Sequence, residues 1–255
     1  MPLPALRERL AETLTLSAWS SLADPLVHEA LLRSPFAAIL LDMQHGLHDT
    51  ASVAAGVAAA ARLGKPAIVR VPIEDRAMAA RALDLGASGV VMPMIETPAE
   101  AAAFVAAVKY SPEGLRSFGP SRAVDLHGYA GPDDYMAVAN RETLAFAMIE
   151  TRAALDDLGA ILAVPGLDGV FVGPSDLSIA LSPEGRRDVG GSATRAAIAR
   201  ILEAANAAGK LAGIYAASAE EARLYVEIGF RYVCVASDIA LLRTGAAELV
   251  AAVTS

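Results

Sequence analysis

Cysteine is nearly absent: Cys234 is the only one in 255 residues. That excludes an internal disulfide and a cysteine-built zinc site. Lying within Tyr232-Val233-Cys234-Val235, it reads as a core residue. Lysine is almost as scarce, with only Lys65, Lys109 and Lys210. Positive charge is short overall: 21 Lys and Arg against 29 Asp and Glu give a net charge of −8. A nucleic-acid partner would need a basic face, so none is expected. An anionic substrate stays open, because the sign of a site is local. No apolar run approaches the roughly 18 residues that a membrane helix needs, so no membrane partner is expected either. Residues 1–10 mix Pro, Arg and Glu without a long apolar stretch, which is unlike a signal peptide. The expectation is a soluble cytoplasmic protein.

What the chain does have is a repeated alternation of strand and helix patterns. Strands are expected at 14–20, 37–42, 67–71, 89–95, 144–149, 169–172, 211–215 and 232–236. Helices are expected at 24–32, 51–63, 75–85, 98–108, 153–163, 193–208, 219–228 and 239–253. Gly64 and Gly86 close two of them as C′ glycines do, and Pro98 opens another. Eight strands alternating with helices predict an α/β fold, a (β/α)8 TIM barrel forming a single domain over 1–255. A doubly wound sheet is the alternative, but the even spacing favours the barrel. Residues 110–140 break the rhythm with Gly114, Gly119, Pro120, Gly128, Gly131 and Pro132, and only 133–139 reads as helical. Insertions of this length are functional or disordered. Residues 182–191 read as a polar loop.

Chemistry in a barrel sits at the C-terminal ends of the strands. That rule selects Trp19, Asp42, Gln44, His45, Arg70, Glu96, Glu150, Asp176 and Asp238. Glu150 and Asp176 follow consecutive apolar strands, Phe146-Ala147-Met148-Ile149 and Val170-Phe171-Val172. Two readings stand side by side. Each carboxylate can cap the helix that follows, or both can offer oxygen ligands to a hard divalent cation such as Mg2+ or Mn2+. His45 is either a general acid–base or a structural histidine. Arg70 is flanked by apolar residues in Val69-Arg70-Val71-Pro72 and so needs a polar target. That target is a carboxylate or enolate oxygen of a substrate, or an ion pair with Asp42 or Glu150.

Together these groups suit metal-dependent aldol chemistry on a pyruvate-like donor. The cation would act as Lewis acid, Arg70 would stabilise developing negative charge and His45 would move protons. An imine route needs a lysine at the active rim. Lys65 and Lys210 precede strands and Lys109 closes a helix, so none is placed for it.

At this point the sequence resembles the HpcH/HpaI aldolases, the metal-dependent class II pyruvate aldolases. The residues carrying the resemblance are Leu40-Leu41-Asp42-Met43-Gln44-His45-Gly46, Val69-Arg70-Val71-Pro72, Leu83-Asp84-Leu85-Gly86-Ala87, Val91-Met92-Pro93-Met94, Ile149-Glu150-Thr151 and Gly173-Pro174-Ser175-Asp176-Leu177-Ser178. The resemblance implies cleavage of a 4-hydroxy-2-oxo acid to pyruvate and an aldehyde. It implies Mg2+, Mn2+ or Co2+ on Glu150 and Asp176. Arg70, Trp19, Ser175 and Asp42 would contact substrate, with His45 as catalytic base and Asp84 pairing with that histidine. Because Asp84 precedes a strand, it would come from a neighbouring subunit. The family is a homo-oligomer (dimer, trimer or hexamer) that swaps its last helix, here 239–253. Three positions depart from the family pattern: Gln44 where Glu is usual, Met148 where Gln is usual, and Ser117-Phe118 within the Arg-Gly-Xaa-Gly loop. A related lyase acting on a coenzyme-A thioester would need a basic nucleotide path, which the acidic chain does not show. A non-catalytic barrel that binds a 2-oxo acid is the other alternative.

Overall fold

The computed structural model describes residues 6–254. Eight strands close into a parallel barrel in sequence order: β1 (Thr15–Ser20), β2 (Ala38–Asp42), β3 (Ala67–Arg70), β4 (Gly89–Met92), β5 (Leu144–Ile149), β6 (Gly169–Val172), β7 (Leu211–Ala216) and β8 (Tyr232–Ser237). The expected (β/α)8 barrel is therefore what the chain forms. Strands β2 to β6 are buried along their whole length, which is why they read as short, mostly apolar runs.

Residues alternate between two cores. Leu40, Ile68, Val91, Phe146, Met148, Phe171 and Tyr232 fill the barrel interior. Their chain neighbours, such as Ile39, Leu41, Ala147 and Val172, pack outward against the helices. This period of two decides the site. Leu40 and Asp42 share a face, as do Ile68 and Arg70, and as do Phe146, Met148 and Glu150. The last member of each series rises from the same interior at the C-terminal rim.

The helices of the barrel are α2 (Pro25–Arg33), α3 (Thr50–Arg62), α4 (Arg76–Asp84), α5 (Pro98–Val108), α11 (Ser192–Ala207), α12 (Ala219–Ile228) and α13 (Asp238–Thr254). Local chemistry fixes their starts. Asp49 with Ser52 and Thr97 with Glu100 form reciprocal capping boxes at α3 and α5.

Four features differ from the sequence expectation. A first helix, α1 (Leu6–Glu12), was not expected; it seals the bottom of the barrel with Leu6 and Leu10, 0% and 3% exposed. The expectation for 1–10 falls partly on residues outside those described. Across 110–140 there are two helices, α6 (Ser121–His127) and α7 (Pro132–Glu142), rather than one. Gly128, at φ 67°, ends α6 as a left-handed cap, so the glycines mark helix ends within an ordered segment. The segment has its own small core of Tyr110, Val124 and Tyr135. Lys109 anchors it, donating to the Asn140 and Thr143 carbonyls at 2.6 and 2.7 Å. The helix expected at 153–163 is split into α8 (Arg152–Asp156) and α9 (Leu158–Leu162), because Asp157 leaves helical geometry and serves as cap to both. Finally, α10 (Pro174–Leu181) begins right after β6, where no helix was expected. Among the described residues no helix is long and apolar enough to cross a membrane.

Candidate active site

A cavity of about 250 Å³ opens at the C-terminal rim of the barrel. Trp19, Asp42, His45, Arg70, Ser175 and Asp176 all line it, so the barrel brings together most of the residues the strand-end rule selected.

Arg70 and Asp42 face each other across adjacent strands, as the β2–β3 register requires. Arg70 Nε and Nη2 donate to Asp42 Oδ1 and Oδ2, both at 2.8 Å. The guanidinium also stacks on Trp19, its Cζ 4.6 Å from the ring centroid. Trp19 in turn meets Tyr215 edge-on at 4.9 Å. The bidentate fork of Arg70 is thus engaged with Asp42, the ion pair that stood beside a substrate oxygen as its expected target. Only the Nη1 edge is left over, 3.9 Å from Met148 Sδ. Burial alone would raise the Asp42 carboxyl; the Arg70 bonds and charge, joined by the His45 and Gln44 backbone N–H groups, outweigh it and hold Asp42 below its ordinary value.

Glu150 does not cap the following helix, a role taken by Thr151. Its Oε1 accepts the Met94 N–H at 2.9 Å. Its Oε2 lies against Gly173, where an added Cβ would approach it to 2.3 Å. Burial pushes the Glu150 carboxyl up to about 7; the Met94 N–H opposes this, and the Asp176 charge adds to it. Asp176 is exposed, in the first turn of α10. Its place suits that helix end and puts its carboxylate at the cavity, whereas Glu150, 2% exposed, is not one of the lining residues and lies behind Gly173.

Among the described residues no group of three or more His, Cys, Asp or Glu side chains is placed to hold a metal. Asp176 at the cavity and Glu150 just behind its lining residue Gly173 nevertheless supply the oxygen donors that suit a hard cation keeping its other positions for water and substrate, as Mg2+ does. Gln44 Oε1 is buried without a partner, the kind of orphan acceptor that an ordered water satisfies.

His45 is exposed at the cavity, and its backbone N–H donates to Asp42 Oδ1 at 3.4 Å. Asp84 is elsewhere, at the end of α4, bonded to Arg116 Nη2 at 2.6 Å. Within one chain it does not meet His45. Glu96 lies outside the cavity, its backbone N–H capped by the Glu100 carboxylate at 2.7 Å. Asp238 is 1% exposed and structural: its Oδ2 accepts from Ser20 Oγ and from the Ser21 and Leu22 N–H groups. Both drop out of the rim set.

Sequence reasoning missed Tyr215, Ser21, Ser237 and Gly173, which also line the cavity. Tyr215 and Ser237 could have been found, since both fall at strand ends. It also missed Arg187, whose Nε donates to Ser175 Oγ at 3.0 Å.

Comparison with known proteins identifies the family. Residues 16–244 match the model of the HpcH/HpaI aldolase/citrate lyase family. A hydroxypyruvate/pyruvate aldolase of Rhizorhabdus wittichii is 39% identical over 92% of each chain. A 5-keto-4-deoxy-D-glucarate aldolase of Salmonella arizonae is 34% identical, over 94% of this chain and 92% of that one. Among solved structures, an HpcH/HpaI aldolase/citrate lyase family protein from Burkholderia cenocepacia superposes with a TM-score of 0.88 at 32% identity, covering 98% of this chain and 99% of that one. The chain belongs to the HpcH/HpaI aldolase/citrate lyase family, and it is an aldolase of that family.

Proposed function

We propose that this enzyme cleaves a 4-hydroxy-2-oxo acid reversibly to pyruvate, or a related 2-oxo acid, and an aldehyde, using a divalent cation on Glu150 and Asp176. The observation that carries the reading is one small cavity lined by Asp176 and by the Arg70–Asp42 pair stacked on Trp19, with the buried Glu150 carboxylate directly behind its lining residue Gly173. When bound, Mg2+, Mn2+ or Co2+ supplies Lewis acidity toward the oxygens of the oxo acid. Arg70 directs its remaining Nη1 edge at oxygen charge that grows during cleavage, and Asp42 and Trp19 keep that edge from turning. His45, at the open side, takes the proton of the substrate hydroxyl and returns it in condensation. Ser175 and Trp19 contact the substrate. A cavity of this volume excludes a bulky donor.

Retro-aldol turnover should vanish on chelation, return with Mn2+, and be lost in Glu150→Gln and Asp176→Asn. Full activity after chelation and dialysis would overturn the metal assignment.

The same reading includes a homo-oligomer in which Asp84 of one chain serves His45 of another. Leu115 and Phe118, beside the Asp84–Arg116 pair, are 85% and 53% exposed, and Leu249 and Val253 on α13 are 71% and 87% exposed. An apolar groove of about 800 Å³ runs between α2 and α13. Exposed apolar surface of this extent suits a second copy, with α13 exchanged between subunits. Light scattering tests it: a fully active monomer would return Asp84 to a helix-end charge paired with Arg116.

A further inference from the structure

Met94 follows β4 with a φ of 55°, in the left-handed region. A non-glycine residue is uncommon and strained there. Nothing about its side chain explains the choice: Met94 is 36% exposed. Its backbone, however, has a specific target. The N–H donates to Glu150 Oε1 at 2.9 Å, and Glu150 is 2% exposed, so few other donors can reach it. On the opposite side the Gly173 backbone closes on Oε2. The carboxylate is thus hydrogen-bonded at Oε1 and closely packed at Oε2.

We propose that Met94 is a positioning residue for the cation site: its left-handed backbone aims the N–H at Glu150 Oε1, which would leave Oε2 as the oxygen available to a cation. The inference rests on the reading of Glu150 as a metal ligand. A φ in the ordinary negative region would swing the preceding peptide and with it the N–H. Glu150 would then be free to turn, and the cation would meet a carboxylate without a fixed lone pair.

The test is a substitution series read by Mn2+ titration, with calorimetric melting and far-UV circular dichroism as the control for folding. Met94→Gly and Met94→Asn tolerate left-handed backbone and should keep the Mn2+ dissociation constant within about twofold. Met94→Val and Met94→Ile resist it and should weaken binding by about tenfold or more. A role in stability alone would move the melting temperature across the series and leave the Mn2+ constant flat. Equal Mn2+ affinity in all folded variants overturns the proposal, and so does Met94→Gly binding more weakly than Met94→Val. Glu150→Gln separates the two layers. If it binds Mn2+ as the wild type does, the metal reading itself fails. If it loses Mn2+ while the residue-94 series stays flat, only the role of Met94 fails.

Discussion

Gly173→Ala should damage the site more than its single methyl group suggests. Gly173 has a φ of −100°, which any residue adopts, so backbone strain is not the issue. The obstacle is space. The new Cβ would lie 2.3 Å from Glu150 Oε2, 2.8 Å from Met148 Cε and 3.1 Å from Glu150 Cβ. Restoring ordinary contact needs a shift of about 1 Å or more. Strands β5 and β6 are bonded neighbours, with Ile149 opposite Val172, so they resist separation. Glu150 must therefore rotate and strain or break its bond to Met94. Overpacking of this kind costs about 1–3 kcal/mol. For a chain of this size that lowers the melting temperature by about 2–10 °C. A misplacement of 1 Å costs about 10²-fold in turnover. The assay is retro-aldol release of pyruvate with Mn2+, beside a Mn2+ titration and a calorimetric melt. Gly159→Ala is the control, because a Cβ there meets nothing within 4 Å. Wild-type Mn2+ affinity and turnover in Gly173→Ala would refute the steric argument.

Three further outcomes follow from the same contacts. Arg70→Lys should raise the KM for the oxo acid at least tenfold and lower the melting temperature, because one of the two bonds to Asp42 and the Trp19 stack are lost together; unchanged values of both would remove Arg70 from its role. His45→Ala should cut retro-aldol turnover by about 10²- to 10⁴-fold while Mn2+ affinity stays in the wild-type range; a near-normal rate would leave another group as the base. Stability should fall in mild acid. His48 is held down to about 4 by burial and then by the facing His28, whose ring stacks 5.1 Å away and whose own value burial lowers. Both therefore stay neutral in the fold and take up protons near 6.5 when unfolded. Their contribution is whole above pH 6.5 and is lost as pH falls toward 4; for His48 it is roughly 2 kcal/mol after solvent screening. Melts between pH 8 and 4.5 should show the loss, and His48→Gln should flatten it; an unchanged slope would sink the assignment.

The fold was legible because burial on both faces leaves a plain mark. Most strands are short apolar runs, and helices such as α3, α4 and α12 are followed by a glycine while α2 and α5 open on a proline. Two of the differences share one cause. In 110–140 the same Gly and Pro residues that end helices were read as loop. At α10 the helix starts on Gly173-Pro174, a pair that looks like a turn when no side-chain acceptor caps the helix. Neither α1 nor its place in the barrel floor could be foreseen, since its seven residues are too few to show a helical period.

At the site, the strand-end rule gave position but not partner. It offered Asp42 and Glu150 as partners for Arg70 but could not choose between them, because the choice depends on the Asp42–Arg70 register of β2 and β3. Nor could it separate Asp238 from Asp42. Both are acids near strand ends and both are 1% exposed, yet one faces a guanidinium and the other three donors of the β1–α2 turn. The period of two could have made part of that separation in advance. Asp42 continues the interior series Ala38, Leu40, whereas Asp238 starts α13, beyond the end of β8. Glu150 passes the same test through Leu144, Phe146 and Met148. What no periodicity reveals is the backbone: the Met94 N–H and the missing Cβ of Gly173 fix Glu150 from two sides, and neither is a side chain that a motif would register.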